Sequence, residues 1–179
     1  MNTSHQRPDH AAPALRSLRG DNARRTLANA AHHWDAYYQG DQYRRHWHIA
    51  QPSPELMSLV ATGVVTPCRA LDVGCGAETE AVWMARQGFE VTALDVSSEA
   101  LALTRRLAAR NGVNLTSVQA FVPNTGLPDC GFDFIDDRSC FHVIEPELPR
   151  LMAYAHEVAR LLSPNGVLYL SNASGVRAW

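Results

Sequence analysis

The stretch LDVGCGAETEAVWMARQGFEVTALDVS, Leu71 to Ser97, decides the fold. A short apolar run enters a turn holding Gly74 and Gly76, a helix-period segment follows until Gly88, and a second apolar run finishes in Asp95. That order is a βα unit leading to the next parallel strand. In such a unit the backbone N–H groups of the turn and the helix N-terminus face a crevice beyond the strand ends. Asp95 follows Gly76 by nineteen positions, where a carboxylate can accept both hydroxyls of a ribose. The pattern implies an adenosine-containing ligand. Glu78 occupies the place where such a turn is expected to carry a third small residue.

Working outward, the same alternation continues in both directions. The spacing predicts strands at Ala70–Val73, Glu90–Val96, Leu115–Val122, Phe132–Ile135 and Val167–Leu170. Ser97 or Ser98 caps a helix that stops at Asn111-Gly112, and a helix runs from about Glu147 to Leu162 before the turn Ser163-Pro164-Asn165-Gly166. Strands alternating with helices predict an α/β fold, doubly wound and mostly parallel, with about five strands and helices on both faces. Upstream, Leu27, Ala31, Trp34 and Tyr38 recur at helical spacing between Asp21 and Gly40. Ser53-Pro54-Glu55 then starts a helix that ends at Gly63. The first twenty residues are polar and carry prolines, which predicts a disordered tail or, by their arginine content, a transit segment. The chain thus divides at about residues 20 and 52, with the sheet domain filling 53–179.

Composition narrows the function. The 179 residues are 46% hydrophobic, carry a formal charge of −2 and hold no apolar run long enough to span a membrane. Without a basic block, no nucleic-acid surface is expected. All sixteen cations are arginines, so no lysine of this chain can form a Schiff base or serve as an ammonium base. Cys68, Cys75, Cys130 and Cys140 lack CxxC spacing and follow no secretory leader, so they read as reduced thiols of a cytoplasmic protein. His32-His33 and His46-x-His48 have no Cys or acid partner at ligand spacing, and no metal is expected.

The turn departs from a dinucleotide fingerprint, since the sixth position from Gly74 is Thr79 and Asp72 precedes the first glycine. Asp72-x-Gly74-x-Gly76 resembles the first motif of class I S-adenosylmethionine-dependent methyltransferases, whose sheet is Rossmann-like. LDVGCG, AVWMARQGFEVTALDVSSEAL, FDFIDDRSCFHVI and LLSPNGVLYLS follow in the family's order. HWDAYYQGDQYRRHWHIAQPSPEL and DRSCFH look like the branch containing thiopurine and other small-molecule thiol methyltransferases, in which residues 21–52 would form a helical, aromatic lid. The resemblance implies S-adenosylmethionine as cofactor, S-adenosylhomocysteine as product and a small-molecule acceptor, possibly a thiol.

The same resemblance assigns residues. Asp72, Gly74 and Gly76 would lie at the methionine end of the cofactor, Asp95 at the ribose and Val96 against the adenine, with Asn124 and Thr125 at the adenine edge. PNTG replaces that loop's usual acid. Trp34, Trp47 and Gln51 match lid positions, and Asp137 and Arg138 match a substrate-facing pair. Arg138 would favour an acceptor thiolate or form an ion pair with Asp136 or Asp137. His142 would take a proton from a hydroxyl or amine, or be a hydrogen-bonded structural histidine. Glu78 would repel the ligand carboxylate, pair with its ammonium, or face solvent and favour the helix N-terminus. The chain lacks the Asn/Asp-Pro-Pro-Tyr motif of DNA amino-methyltransferases and the lysines of the Lys-Asp-Lys-Glu RNA enzymes.

Two further expectations concern the whole chain. The family's sheet continues past its fifth strand, whereas SNASGVRAW follows it here, so that strand would be an edge open to a second copy or a partner chain, or the chain would be a truncated relative. An inactive methyltransferase-like binding module is the alternative to an enzyme, and a dinucleotide-dependent oxidoreductase is the third reading.

Overall fold

A computed structural model describes residues 21–40, 42–46, 48, 50–77, 79–143 and 148–171. The predicted tail, residues 1–20, lies outside them. Five strands form one sheet in the order β3-β2-β1-β4-β5, with β1 at Arg69–Val73, β2 at Glu90–Asp95, β3 at Thr116–Gln119, β4 at Phe132–Arg138 and β5 at Leu162–Ser171. Every pairing is parallel. The Rossmann-like sheet expected from the alternation is therefore present.

The central strand shows why these residues form a covered sheet. Successive side chains of β1 point to opposite faces. Ala70 joins Leu56, Met84, Phe89, Val91 and Phe134 on one face, while Leu71 and Val73 join Leu94, Ile135, Tyr154, Val158 and Leu161 on the other. The first face is covered by α3 (Pro54–Ala61), α4 (Glu80–Arg86) and α5 (Ser98–Arg110), and the second by α6 (Leu148–Leu161). Truncating a fully buried leucine such as Leu71 to alanine costs about 2–5 kcal/mol.

The predicted helix starts are present. Ser53 Oγ accepts from Leu56 N with Pro54 in the first turn, and Ser97 Oγ accepts from Ala100 N. Upstream, α1 (Asp21–Gln39) and α2 (Gln42–His46) lie beside the sheet domain. Tyr38 and Tyr43 bury against Ala77 and Ala100, with Trp34 and Leu103 packed alongside.

Three boundaries differ from the periodicity. The third strand stops at Gln119, because Asn124 N donates to Phe121 O at 2.9 Å in an isolated antiparallel bridge, so the chain turns where apolar residues suggested more strand. The fourth strand extends to Arg138, since β5 continues to pair with it through Ser171. The predicted 163–166 turn is looped out within β5. Leu162 pairs with Phe132 and Val167 with Phe134, while Asn165 takes φ 67° and Ser163 Oγ donates to Asp133 at 2.7 Å.

Candidate cofactor crevice

The crevice starts where β1 gives way to the glycine turn. Gly74 and Gly76 adopt φ 68° and 56°, a left-handed backbone that a side chain strains. A Cβ on Gly74 would also stand 2.7 Å from the Cβ of Cys140. Cys75 N donates to Leu94 O at 2.9 Å, which ties the turn to β2. Gly76 N donates to Asp95 Oδ2 at 2.8 Å, and Gly76 O accepts from Thr104 Oγ1 at 2.8 Å. The two motif elements separated in sequence are thus in direct contact.

Asp95 Oδ1 accepts in turn from Ser97 N at 2.8 Å. An ionised carboxylate offers about four lone-pair positions, so the N–H groups directed at it still leave acceptor capacity for a ribose hydroxyl. The residues present therefore fit an adenosyl group. Burial pushes the Asp95 carboxyl up to about 6, against the pull of the Ser97, Gly76 and Val96 N–H groups, and Asp35 adds to the rise. Val96 is half-buried, with its carbonyl accepting from Gln119 Nε2 at 3.0 Å. Asp72 is buried at the end of β1, in register with Asp136 of β4.

At the tip of β4 the side chains serve one another. Asp137 Oδ1 accepts from Cys140 N at 2.8 Å and Phe141 N at 3.1 Å, and Oδ2 accepts from Tyr154 Oη at 2.5 Å. Burial nonetheless pushes this carboxyl up from its ordinary value. Arg138 donates to Glu80 Oε1 at 2.5 Å, an ion pair almost wholly removed from water. The same oxygen accepts from Ser53 N at 3.0 Å, and Ser53 Oγ lies 3.3 Å from Tyr169 Oη on β5. Glu80, delivered from the first turn of α4, is thus a carboxylate partner of Arg138 that the sequence did not suggest. Cys140 follows in the loop, its thiol pushed well up by burial and then by Asp137, Asp95 and Asp72. His142 is exposed on the 3-10 turn Phe141–Val143.

The remaining expected residues scatter. Thr125 donates to Glu157 Oε1 through both its N–H (3.1 Å) and its hydroxyl (2.5 Å), which commits it to α6. Burial raises the Glu157 carboxyl, but hydrogen bonds from Arg160 and Thr125 outweigh that and hold it below its ordinary value. Asn124 is exposed in the turn, and Gln51 is exposed ahead of α3. Trp34 packs near Ala77 of the glycine turn. Trp47 and Glu78 lie outside the described residues. All four cysteines are free, and among the described residues no three His, Cys, Asp or Glu side chains could share a metal ion. No described helix is long and apolar enough to cross a membrane. Sequence reasoning missed Glu80, Tyr154, Glu157 and Asp35. Each sits inside an amphipathic helix, and only the tertiary contact distinguishes it from a solvated neighbour.

Comparison with known proteins fits this geometry. Residues 70–166 match the family model for a methyltransferase domain. The chain is 33% identical over 119 residues to the 2-heptyl-1-hydroxyquinolin-4(1H)-one methyltransferase of Mycobacteroides abscessus, covering 66% of this chain and 51% of that protein. It is 33% identical over 107 residues to the ubiquinone biosynthesis O-methyltransferase of Actinobacillus pleuropneumoniae, covering 58% and 44%. The chain spans about half the length of these curated relatives. Its fold is shared with the Burkholderia thailandensis 1,6-didemethyltoxoflavin-N1-methyltransferase, solved with 1,6-didemethyltoxoflavin and S-adenosylhomocysteine bound. There the TM-score is 0.62 at 21% identity, over 87% of this chain and 65% of that one.

Proposed function

The chain belongs to the methyltransferase domain family, in its class I, S-adenosylmethionine-dependent form, and from that premise we propose that it transfers a methyl group to a small-molecule acceptor. The contact between Gly76 N–H and Asp95 carries this reading, because it joins the glycine turn and the ribose acid into one binding edge. Gly74, Gly76 and Asp72 serve the methionine end, Asp95 the ribose and Val96 the adenine. Asn124 stands at the adenine edge. Thr125 supports that edge from behind through Glu157. Trp34 and Gln51 belong to the covering segment.

S-adenosylmethionine, when bound, supplies an already activated methyl group, so this chain's task is to align the acceptor and exclude water. Arg138 is satisfied by a buried carboxylate and acts by holding the β4 tip against α4 rather than by ionising a thiol. Asp137 fixes the loop that carries His142 through its bonds to Cys140 and Phe141. His142 on that loop is the residue we assign as proton acceptor. A hydroxyl acceptor suits this arrangement better than the thiol expected from DRSCFH, and the ubiquinone relative is by name an O-methyltransferase.

A second reading, a binding module without turnover, is favoured by the internal commitment of both Asp137 and Arg138. In either case β5 is an edge strand among the described residues, with Val167, Leu168 and Leu170 exposed, and a second copy is the partner proposed for it. Calorimetric titration with S-adenosylhomocysteine, S-adenosylmethionine and NAD tests the assignment. Binding of the first two and not the third is expected; binding of NAD alone, or of none, overturns it. Turnover of a hydroxylated aromatic acceptor then separates enzyme from module.

A further inference from the structure

One acidic side chain outside the sheet domain touches the crevice at its most sensitive point. Asp35, on α1, accepts from Ser97 Oγ at 2.5 Å, from Glu99 N at 3.2 Å and from Ser98 Oγ at 3.4 Å. One turn later Gln39 Nε2 donates to Glu99 Oε1 at 3.1 Å. These partners are the N-terminal turn of α5, whose unpaired N–H groups and positive dipole end favour a carboxylate. Ser97 is the shared member, because its backbone N–H donates to Asp95 while its hydroxyl donates to Asp35. The same hydroxyl accepts from Ala100 N. Beside this contact Tyr38, Tyr43 and Trp34 pack on Ala100 and on Ala77 of the glycine turn. The helix is therefore held both by hydrogen bonds to the first turn of α5 and by aromatic packing on Ala100 and Ala77.

We propose that Asp35 is a positioning residue that latches α1 to the N-terminus of α5 and thereby sets Ser97 and Asp95 in the arrangement that takes the ribose. The inference rests on the cofactor reading given above and adds to it a residue from outside the glycine motif. With the latch closed, the Ser97 hydroxyl is oriented by an anionic acceptor, its N–H stays on Asp95, and α1 covers Ala77. With the latch open, α1 keeps its aromatic packing and the Gln39–Glu99 hydrogen bond, and the Ser97 hydroxyl loses its carboxylate acceptor.

The test compares the full chain with Asp35→Ala and Asp35→Asn. Alanine preserves helix propensity, and asparagine keeps one acceptor oxygen. Hydrogen exchange of residues 31–40 is followed with and without S-adenosylhomocysteine, together with calorimetric affinity for that ligand. In the ligand-free chain, Asp35→Ala exchanges at least tenfold faster over α1, and Asp35→Asn falls between it and wild type. In the wild type, S-adenosylhomocysteine slows α1 exchange further, and Asp35→Ala binds it about tenfold more weakly. Unchanged exchange in ligand-free Asp35→Ala overturns the latch. Faster exchange with undiminished affinity overturns its link to the ribose acid. A wild type that binds no S-adenosylhomocysteine overturns the cofactor reading and that link together, while the ligand-free comparison still decides the latch.

Discussion

Asp95 illustrates how one side chain can set a pH dependence for binding and for stability in opposite senses. Its folded carboxyl is raised to about 6 by burial, against 3.8 when unperturbed. The ionised form is the better acceptor for two ribose hydroxyls, so affinity for S-adenosylhomocysteine is expected to rise severalfold between pH 5 and 7, and Asp95→Asn to bind weakly without that slope. Stability runs the other way. A native group that holds its proton more tightly than the unfolded chain stabilises at low pH, and that contribution is lost as pH rises from about 4 through 6. Thermal unfolding of the ligand-free protein, measured against Asp95→Asn across this window, checks the sign. The Glu80–Arg138 pair is a second residue-scale case. Removing one partner leaves an uncompensated buried charge, so Glu80→Ala is expected to destabilise by about 3 kcal/mol in urea unfolding. Replacing both partners with apolar residues should cost less than the single change.

At the scale of elements, Tyr154 joins α6 to the loop after β4 through Asp137. Tyr154→Phe keeps the packing and removes only the hydroxyl. It should cost about 1–3 kcal/mol and accelerate hydrogen exchange at Cys140 and Phe141, while an unchanged loop would limit Tyr154 to packing. The elements themselves were largely legible in the sequence. Ser53-Pro54 and Ser97 start helices because their hydroxyls accept N–H groups of the first turn, and such local chemistry is visible in a linear string. The stop of β3 at Gln119 was not legible, because it depends on a bridge between Phe121 and Asn124 within a run that reads as apolar strand. The candidate site divides likewise. Gly74, Gly76 and Asp95 could be read from spacing, since a βα turn and the next strand tip are neighbours in any such fold. Arg138 and Thr125 could not, because their carboxylate partners Glu80 and Glu157 lie 58 and 32 positions away on helices whose burial only the assembled fold determines.

At the scale of the whole molecule, β5 lies at one edge of the sheet among the described residues. Between Val167 and Ser171 the strand carries neither a charge nor a proline, the usual guards of an open edge, and Leu168 and Leu170 stand 37% and 45% exposed. Self-association at micromolar concentration is expected in sedimentation, and the double change Leu168→Lys, Leu170→Lys should abolish it. A monodisperse wild-type monomer would exclude the pairing of copies. The crevice at the carboxyl ends of β1, β2 and β4 carries the central claim, that the glycine turn and Asp95 together hold an adenosyl cofactor. A crystal structure grown with S-adenosylhomocysteine tests it most directly. The account predicts both ribose hydroxyls within about 3 Å of the Asp95 carboxylate and the methionine end beside Gly74 and Gly76. A ligand seated elsewhere, or a crevice left empty at saturating concentration, would contradict it.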